Sequence, residues 1–298
     1  MPDATTDAPS KTYTFLVRLR STIVLWLPIA LGVIFEWDWL LKLLIALLGV
    51  LTAAEYLRMG RPDDGAKEFP RLGLGISLCY WIAACWYSVG LNVEPPWWLE
   101  ISALAVALMG SFLLTCRREL EGQTTLFRIF NTTFSTAYTT ILFGFMLHIY
   151  CFPGVSGGRQ LTLLVTMTTK FGDMGAYAFG SVFGRHKMIP RISPGKTWEG
   201  FGGAMIGSFT AVIAMMLIVP GRLAPLTWSW ALLLAPIICV VGVFGDLSES
   251  VLKRCHGIKD SGHKLPGIGG ILDLTDSLLF TGPVTYFYLK AIASLKHG

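Results

Sequence analysis

Stretches of 17 to 24 mostly apolar residues recur along this chain, each long enough to cross about 30 Å of hydrocarbon as a helix. Backbone groups inside a bilayer have no water to bond to, so a chain built of such stretches is restricted to a bundle of helices. The pattern predicts spans over 22–36, 39–55, 72–91, 97–115, 133–152, 161–183, 200–219, 228–245 and 266–289. Only Glu36 to Trp39 separates the first two, which read equally as a hairpin or as two re-entrant segments, so the count is eight or nine. A composition 53% hydrophobic and 14% charged, with a mean hydropathy of +0.58, excludes an ordinary soluble domain. The expected fold is all-α, a polytopic transmembrane protein of about nine helices with a polar cavity facing the cytoplasm.

Charge placement sets the orientation. With a cytoplasmic N-terminus, eighteen of the twenty-four Lys and Arg residues fall on the inside, and only Arg159, Arg222, Lys290 and Lys296 fall outside. Cytoplasmic loops collect such residues, so the chain is expected in the cell membrane with its N-terminus and the loops 184–199 and 246–265 in the cytoplasm. The first apolar segment has no small-residue cleavage site, and the N-terminus is expected to be retained. Six cysteines without a CxxC pair predict neither a disulfide framework nor a zinc site. "GVSGG", Gly154 to Gly158, fits a nucleophile-elbow pattern but lacks the strand and the partners, and reads as a turn.

The chain divides into unlike halves. Residues 1–150 are apolar helices for packing; residues 151–298 carry nearly all the polar groups within spans and are where function is expected. A carboxylate near a bilayer centre costs roughly 2.5–3.5 kcal/mol on insertion scales, and is kept only for a cavity, a partner or a metal. Lys170, Asp173 and Tyr177 share one helix face at i, i+3 and i+7, as do Asp246, Glu249, Ser250 and Lys253 if helix eight continues. "GIGGILDLTDSLLF" adds Asp273, Asp276 and Ser277. The topology lets Asp246 meet Asp273, about 10 Å into the last span, with Asp173 on the floor of the same cavity. Clustered carboxylates without His or Cys companions indicate Mg²⁺, whose shell is usually completed by water and phosphates. The competing reading pairs these acids with Lys170, Lys253 and nearby Arg as buried ion pairs.

Two basic loops flank the acids. "GRHKMIPRISPGKTWEGFGG", Gly184 to Gly203, ends in "SPGKT" ahead of a helix, a place suited to phosphate. The first glycine of a P-loop falls on Pro190 and no strand precedes it, so that motif is rejected. "KRCHGIKDSGHKLPGIGG", Lys253 to Gly270, brings Lys253, Arg254, Lys259 and Lys264, and its glycines Gly267, Gly269 and Gly270 allow close approach to a ligand.

Residues Ser250 to Ser277, "SVLKRCHGIKDSGHKLPGIGGILDLTDS", resemble the signature of the phosphatidate cytidylyltransferases, without a gap. Ser250, Lys253, Arg254, Lys259, Asp260, Gly262, Leu265, Pro266, Gly267, Gly269, Gly270, Asp273 and Asp276 fall in place. The preceding block matches at Asp173, Ala176, Tyr177, Ser193, Pro194, Lys196, Thr197, Glu199 and Gly200. Ile268 stands where that family usually has His, and Leu274 where it usually has Arg.

The resemblance implies cytidylyl transfer from CTP to phosphatidate, giving CDP-diacylglycerol and pyrophosphate, in phospholipid biosynthesis. It implies catalytic Asp246, Asp273, Lys253 and Ser250, substrate binding by Ser193, Lys196, Asp173, Arg254, Lys259 and Asp276, and Mg²⁺ held by Asp246 and Asp273 with a second cation near Asp276. The expected partners are CTP, phosphatidate, membrane lipids and a second copy in a homodimer, and no nucleic acid. Rival readings are a CTP-dependent enzyme acting on another lipid phosphate or lipid alcohol, and an ion-coupled transporter, for which the chain lacks an inverted repeat.

Overall fold

The computed structural model describes residues 27–59, 68–153, 157–258 and 270–297. Residues 27–34 are helical. Nine helices follow among the described residues: α1 Asp38–Met59, α2 Glu68–Cys85, α3 Trp98–Thr115, α4 Gln123–Ser135, α5 Leu142–Tyr150, α6 Gly158–Phe183, α7 Trp198–Ile218, α8 Trp228–Cys255 and α9 Ile271–His297. A π-helical turn, Trp86–Gly90, prolongs α2, and another, Thr136–Ile141, joins α4 to α5 without a break. Each expected span coincides with a helix over its described residues, and the chain is an all-α, multi-pass membrane protein. Among the described residues, six segments are long and apolar enough to cross a bilayer: Asp38–Met59, Phe69–Gly90, Trp98–Thr115, Trp198–Ile218, Trp228–Cys255 and Ile271–Leu295. Helix α6 has the length, with 26 residues, but carries Arg159, Lys170 and Asp173.

Two boundaries differ from the sequence reading in a way that matters. Helix α8 runs past the expected end at 245 to Cys255, because Lys253 pairs with Glu249 one turn back and basic residues in a last turn suit the carbonyl end of a helix. The loop between α6 and α7 contains a two-stranded antiparallel ladder, β1 Lys187–Ile189 and β2 Ser193–Thr197, with Lys187 opposite Thr197 and Ile189 opposite Ser193. "SPGKT" is therefore itself a strand, and the Thr197 hydroxyl caps α7 by accepting from the Gly200 amide at 3.1 Å.

The core lies where α9 packs among α1, α5, α6 and α8, with Tyr56, Trp81, Phe143 and Tyr286 fully buried. Helices α6 and α7 touch along their lengths through glycines. A methyl group at Gly175 would run into the Gly203 carbonyl, and one at Gly207 into the Phe171 carbonyl, while Gly202 has open space. Backbone cannot step aside as a side chain can, so Gly175→Val is expected to destabilise the protein by about 1–3 kcal/mol or more. Gly202→Ala serves as the control, and unfolding midpoints in detergent compare the two. Equal midpoints for both variants refute the close seam. The six cysteines are free, as expected. Gly154 to Ser156 of the decoy motif, together with Lys259, Asp260, Lys264, Gly267, Ile268 and Gly269, lie outside the described residues.

Candidate active site

Helix α8 delivers Asp246, Glu249, Ser250 and Lys253 on one face, since all four lie within an unbroken helix. Helix α9 delivers Asp273 and Asp276. At Gly245 a Cβ would come within 2.8 Å of the Asp276 carbonyl and 2.9 Å of the Ser277 Cα, so the glycine beside Asp246 is what lets α9 close on α8. The result is a cluster of three carboxylates: one oxygen each from Asp246, Glu249 and Asp276 lies within 4.8 Å of the others. Glu249 is 1% exposed and Asp276 5%. The Glu249 Oε1 is buried without a hydrogen-bond partner among the described residues.

Asp273 occupies a different place from the one expected. It lies in the first turn of α9, where its Oδ2 accepts from the Gly270 amide at 2.7 Å, the reach-back half of a capping box. Its Oδ1 is 2.6 Å from the Lys253 ammonium, which is equally close to Glu249 Oε2. The partner of Asp246 across the α8–α9 seam is thus Asp276, one turn deeper, and the third acid is Glu249. The sequence reading had Glu249 on the right face but did not count it as a ligand.

The other cap of α9 comes from far away in the chain. Gly270 has no side chain with which to satisfy the first free amides of the helix. Glu55 of α1 does so, accepting from the Ile271 amide at 2.9 Å and the Leu272 amide at 3.3 Å, and is 2% exposed. An acid at the end of an apolar run was its only signal in the sequence.

Beside the cluster lies a cavity of about 320 Å³ bounded by Asp173, Tyr177, Lys196, Phe201 and Asp246. Lys196 reaches it from β2, 2.9 Å from Asp246 Oδ2 and donating to the Val243 carbonyl at 3.1 Å. Lys170 holds Asp173 at 3.1 Å. Glu199, in the first turn of α7, accepts from the Arg185 amide at 3.1 Å and the His186 amide at 3.2 Å, which fixes the hairpin carrying Lys196. Ser250 is buried beside Glu249. Ser193 opens β2 and is not among the residues lining this cavity. Arg254 points to the hairpin instead, donating to the Ile192 carbonyl at 3.4 Å. Leu274 is half-buried on α9.

Of the residues expected at a site, Asp173, Lys196, Asp246 and Asp276 are brought together, and Lys253 with Asp273 joins them through Glu249. Three carboxylates, with one Glu249 oxygen buried and without a hydrogen bond, are a hard-oxygen donor set that fits a divalent cation of the Mg²⁺ type and suits neither zinc nor copper.

Comparison with known proteins gives the same direction. The chain is 32% identical over 264 residues to the "Uncharacterized protein YnbB" of Escherichia coli (strain K12), covering 85% of this chain and 80% of that one. It is 44% identical over 159 residues to the phosphatidate cytidylyltransferase of Staphylococcus saprophyticus, which is 53% of this chain and 58% of that protein. The phosphatidate cytidylyltransferase of Thermotoga maritima is 39% identical over 157 residues, 52% of this chain and 57% of that one. The chain thus spans a little over half the length of these two named enzymes. The model of the cytidylyltransferase family matches residues 16–292, and the chain belongs to that family.

Proposed function

We propose that this chain is a phosphatidate cytidylyltransferase, transferring a cytidylyl group from CTP to phosphatidate with release of pyrophosphate. The observation that carries the reading is the cluster of Asp246, Glu249 and Asp276, with Lys253 paired to Glu249 and with Lys196 paired to Asp246 at the wall of a cavity. The relatives named above support the choice of substrates, and the basic loops support a site that opens to the cytoplasm of a cell-membrane protein.

In this reaction a phosphate oxygen of the lipid attacks the α-phosphorus of CTP, and the bond to the bridging oxygen of the β-phosphate breaks in line, releasing pyrophosphate. Asp246, Glu249 and Asp276 would hold Mg²⁺; Asp273, first expected as a ligand, would instead orient Lys253. When bound, Mg²⁺ supplies charge screening between the two anionic reactants and stabilises charge on the leaving group. Lys196 and Lys253 are placed to bind phosphates, exchanging their carboxylate partners for substrate oxygens, and Ser250 offers a hydroxyl beside Glu249. Asp173 and Tyr177 bound the cavity that would receive one substrate. An already ionised phosphate nucleophile needs no general base. Residues 151–298 carry this chemistry, and residues 1–150 serve packing, dimer contacts and the cap on α9.

Purified protein in detergent, given CTP, phosphatidate and Mg²⁺, is expected to form CDP-diacylglycerol and pyrophosphate in equal amounts, and to stop when the metal is chelated. Parallel assays with other lipid phosphates and lipid alcohols test whether Leu274 changes the acceptor. Failure to transfer to any lipid phosphate overturns the reading.

A further inference from the structure

A second polar cavity, about 490 Å³ in volume, lies at the opposite end of the bundle. It is bounded by the start of α1 with Asp38 and Lys42, the link after α2 with Asn92 and Glu94, and the start of α6 with Arg159 and Gln160. Thirteen residues of α1 separate Lys42 from Glu55, roughly 20 Å along the axis, so this cavity is remote from the carboxylate site. Asp38 opens one candidate span and Gly90 closes the next, which puts the cavity at the membrane boundary, where the phosphates of one leaflet lie.

Lys42 is 5% exposed. Its ammonium donates to the Ser88 carbonyl at 2.7 Å and to Asn92 Oδ1 at 2.9 Å, and lies 5.5 Å from the Tyr150 ring centre. All three partners are uncharged, and Lys42 forms no ion pair among the described residues. The acids that border the cavity have partners of their own: Glu94 accepts from the Tyr286 hydroxyl at 2.6 Å and contacts His148 at 3.0 Å, and Asp38 accepts from the Tyr150 hydroxyl and lies 3.6 Å from Arg159 Nη1. A buried ammonium without counter-charge is costly. Two more groups lack partners at the same place. Arg159, 12% exposed in its side chain, bonds Glu36 through Nη2 at 2.8 Å, but its buried Nη1 has no hydrogen bond and only Asp38 at 3.6 Å. Gln160 is 7% exposed and its side-chain oxygen is unpartnered.

We propose that this cavity binds a phosphate-type oxyanion that carries a neighbouring hydroxyl or amine donor. A tetrahedral oxyanion accepts from the Lys42 ammonium and from the Arg159 Nη1 group that makes no hydrogen bond, gives Lys42 the direct ion pair it lacks among the described residues, and lets its neighbouring donor serve Gln160. The 26-residue helix α6 adds the positive end of its dipole. A phospholipid headgroup of that leaflet and free inorganic phosphate share this chemistry.

The test uses the full-length protein in phosphate-free detergent, with binding read by native mass spectrometry and by the shift of the unfolding midpoint. The probes are short-chain phosphatidylglycerol, inorganic phosphate, and diacylglycerol, which lacks the headgroup. Saturable binding of phosphatidylglycerol is expected, with none of diacylglycerol, weakened about tenfold or more in Lys42→Gln and separately in Arg159→Gln. Lys196→Gln, in the other cavity, should leave this component unchanged. Binding of inorganic phosphate with the same dependence on Lys42 and Arg159, unimproved by the lipid, supports the site and assigns it to the free anion. Absence of binding by either probe, or binding indifferent to both substitutions, overturns the proposal.

Discussion

Asp276→Asn is expected to reduce cytidylyl transfer on the order of 10²–10³-fold or more, the scale on which losing one charged group aimed at developing charge is felt. The carboxylate is buried, and one of its oxygens lies within 4.8 Å of oxygens from Asp246 and Glu249. Asparagine fills the same volume but removes one of the three carboxylates proposed to hold the cation. A structural role predicts something else. If the cluster only balanced lysines, removing one of several crowded negative charges would relieve repulsion and leave activity intact. The decisive measurement pairs initial rates over a range of Mg²⁺ with the unfolding midpoint. Lost activity at an unchanged or raised midpoint, partly restored by high Mg²⁺, fits the ligand role. Full activity at ordinary Mg²⁺ removes Asp276 from the site. Asp273→Asn should behave differently, since it loosens Lys253 rather than the cluster, and its main effect should fall on the KM for CTP.

The second large effect is expected at Glu55, which touches no substrate. Glu55→Ala leaves the Ile271 and Leu272 amides without their acceptor in a buried place, a loss of about 1–3 kcal/mol in stability. Activity should fall further than that loss alone implies, roughly 10–100-fold, as when a group orienting metal ligands is removed, because Asp273 and Asp276 sit in the two turns that Glu55 anchors. Glu55→Gln keeps an acceptor oxygen and should recover much of the rate, whereas an isosteric apolar replacement, Glu55→Leu, should not. A fall in kcat with little change in KM for CTP identifies a positioning residue. Glu55→Ala with wild-type kcat would show that α9 holds its place without help.

The fold was legible in the sequence because bilayer thickness fixes helix length, and runs of apolar residues report it directly. Helix α8 was read short because hydropathy falls at Asp246, although helical pairing carries the backbone on to Cys255. Of the site, Asp246, Asp276 and Asp173 could be selected as costly charges near a membrane with others at helical spacing, and Lys196 as the lysine of a basic loop just ahead of a helix. The sequence could not choose between Asp273 and Asp276 as the partner of Asp246, since both lie on one face and only the depth at which α9 crosses α8 separates them. Glu249 was on the right face, but no spacing rule distinguishes a ligand from a salt-bridge partner of Lys253. The β hairpin escaped notice because two prolines in a short basic loop argue against strands, and the ladder is held by only a few pairs and by Glu199.

The bond between Glu55 and the start of α9 joins residues 216 positions apart. A ribosome therefore delivers the acceptor long before the amides it serves. Until the final helix returns beside the first, Asp276 has no fixed place and the three acids are not gathered. A partly made chain that lacks α9 thus lacks Asp276, and the carboxylate cluster forms only once the last helix packs against α8.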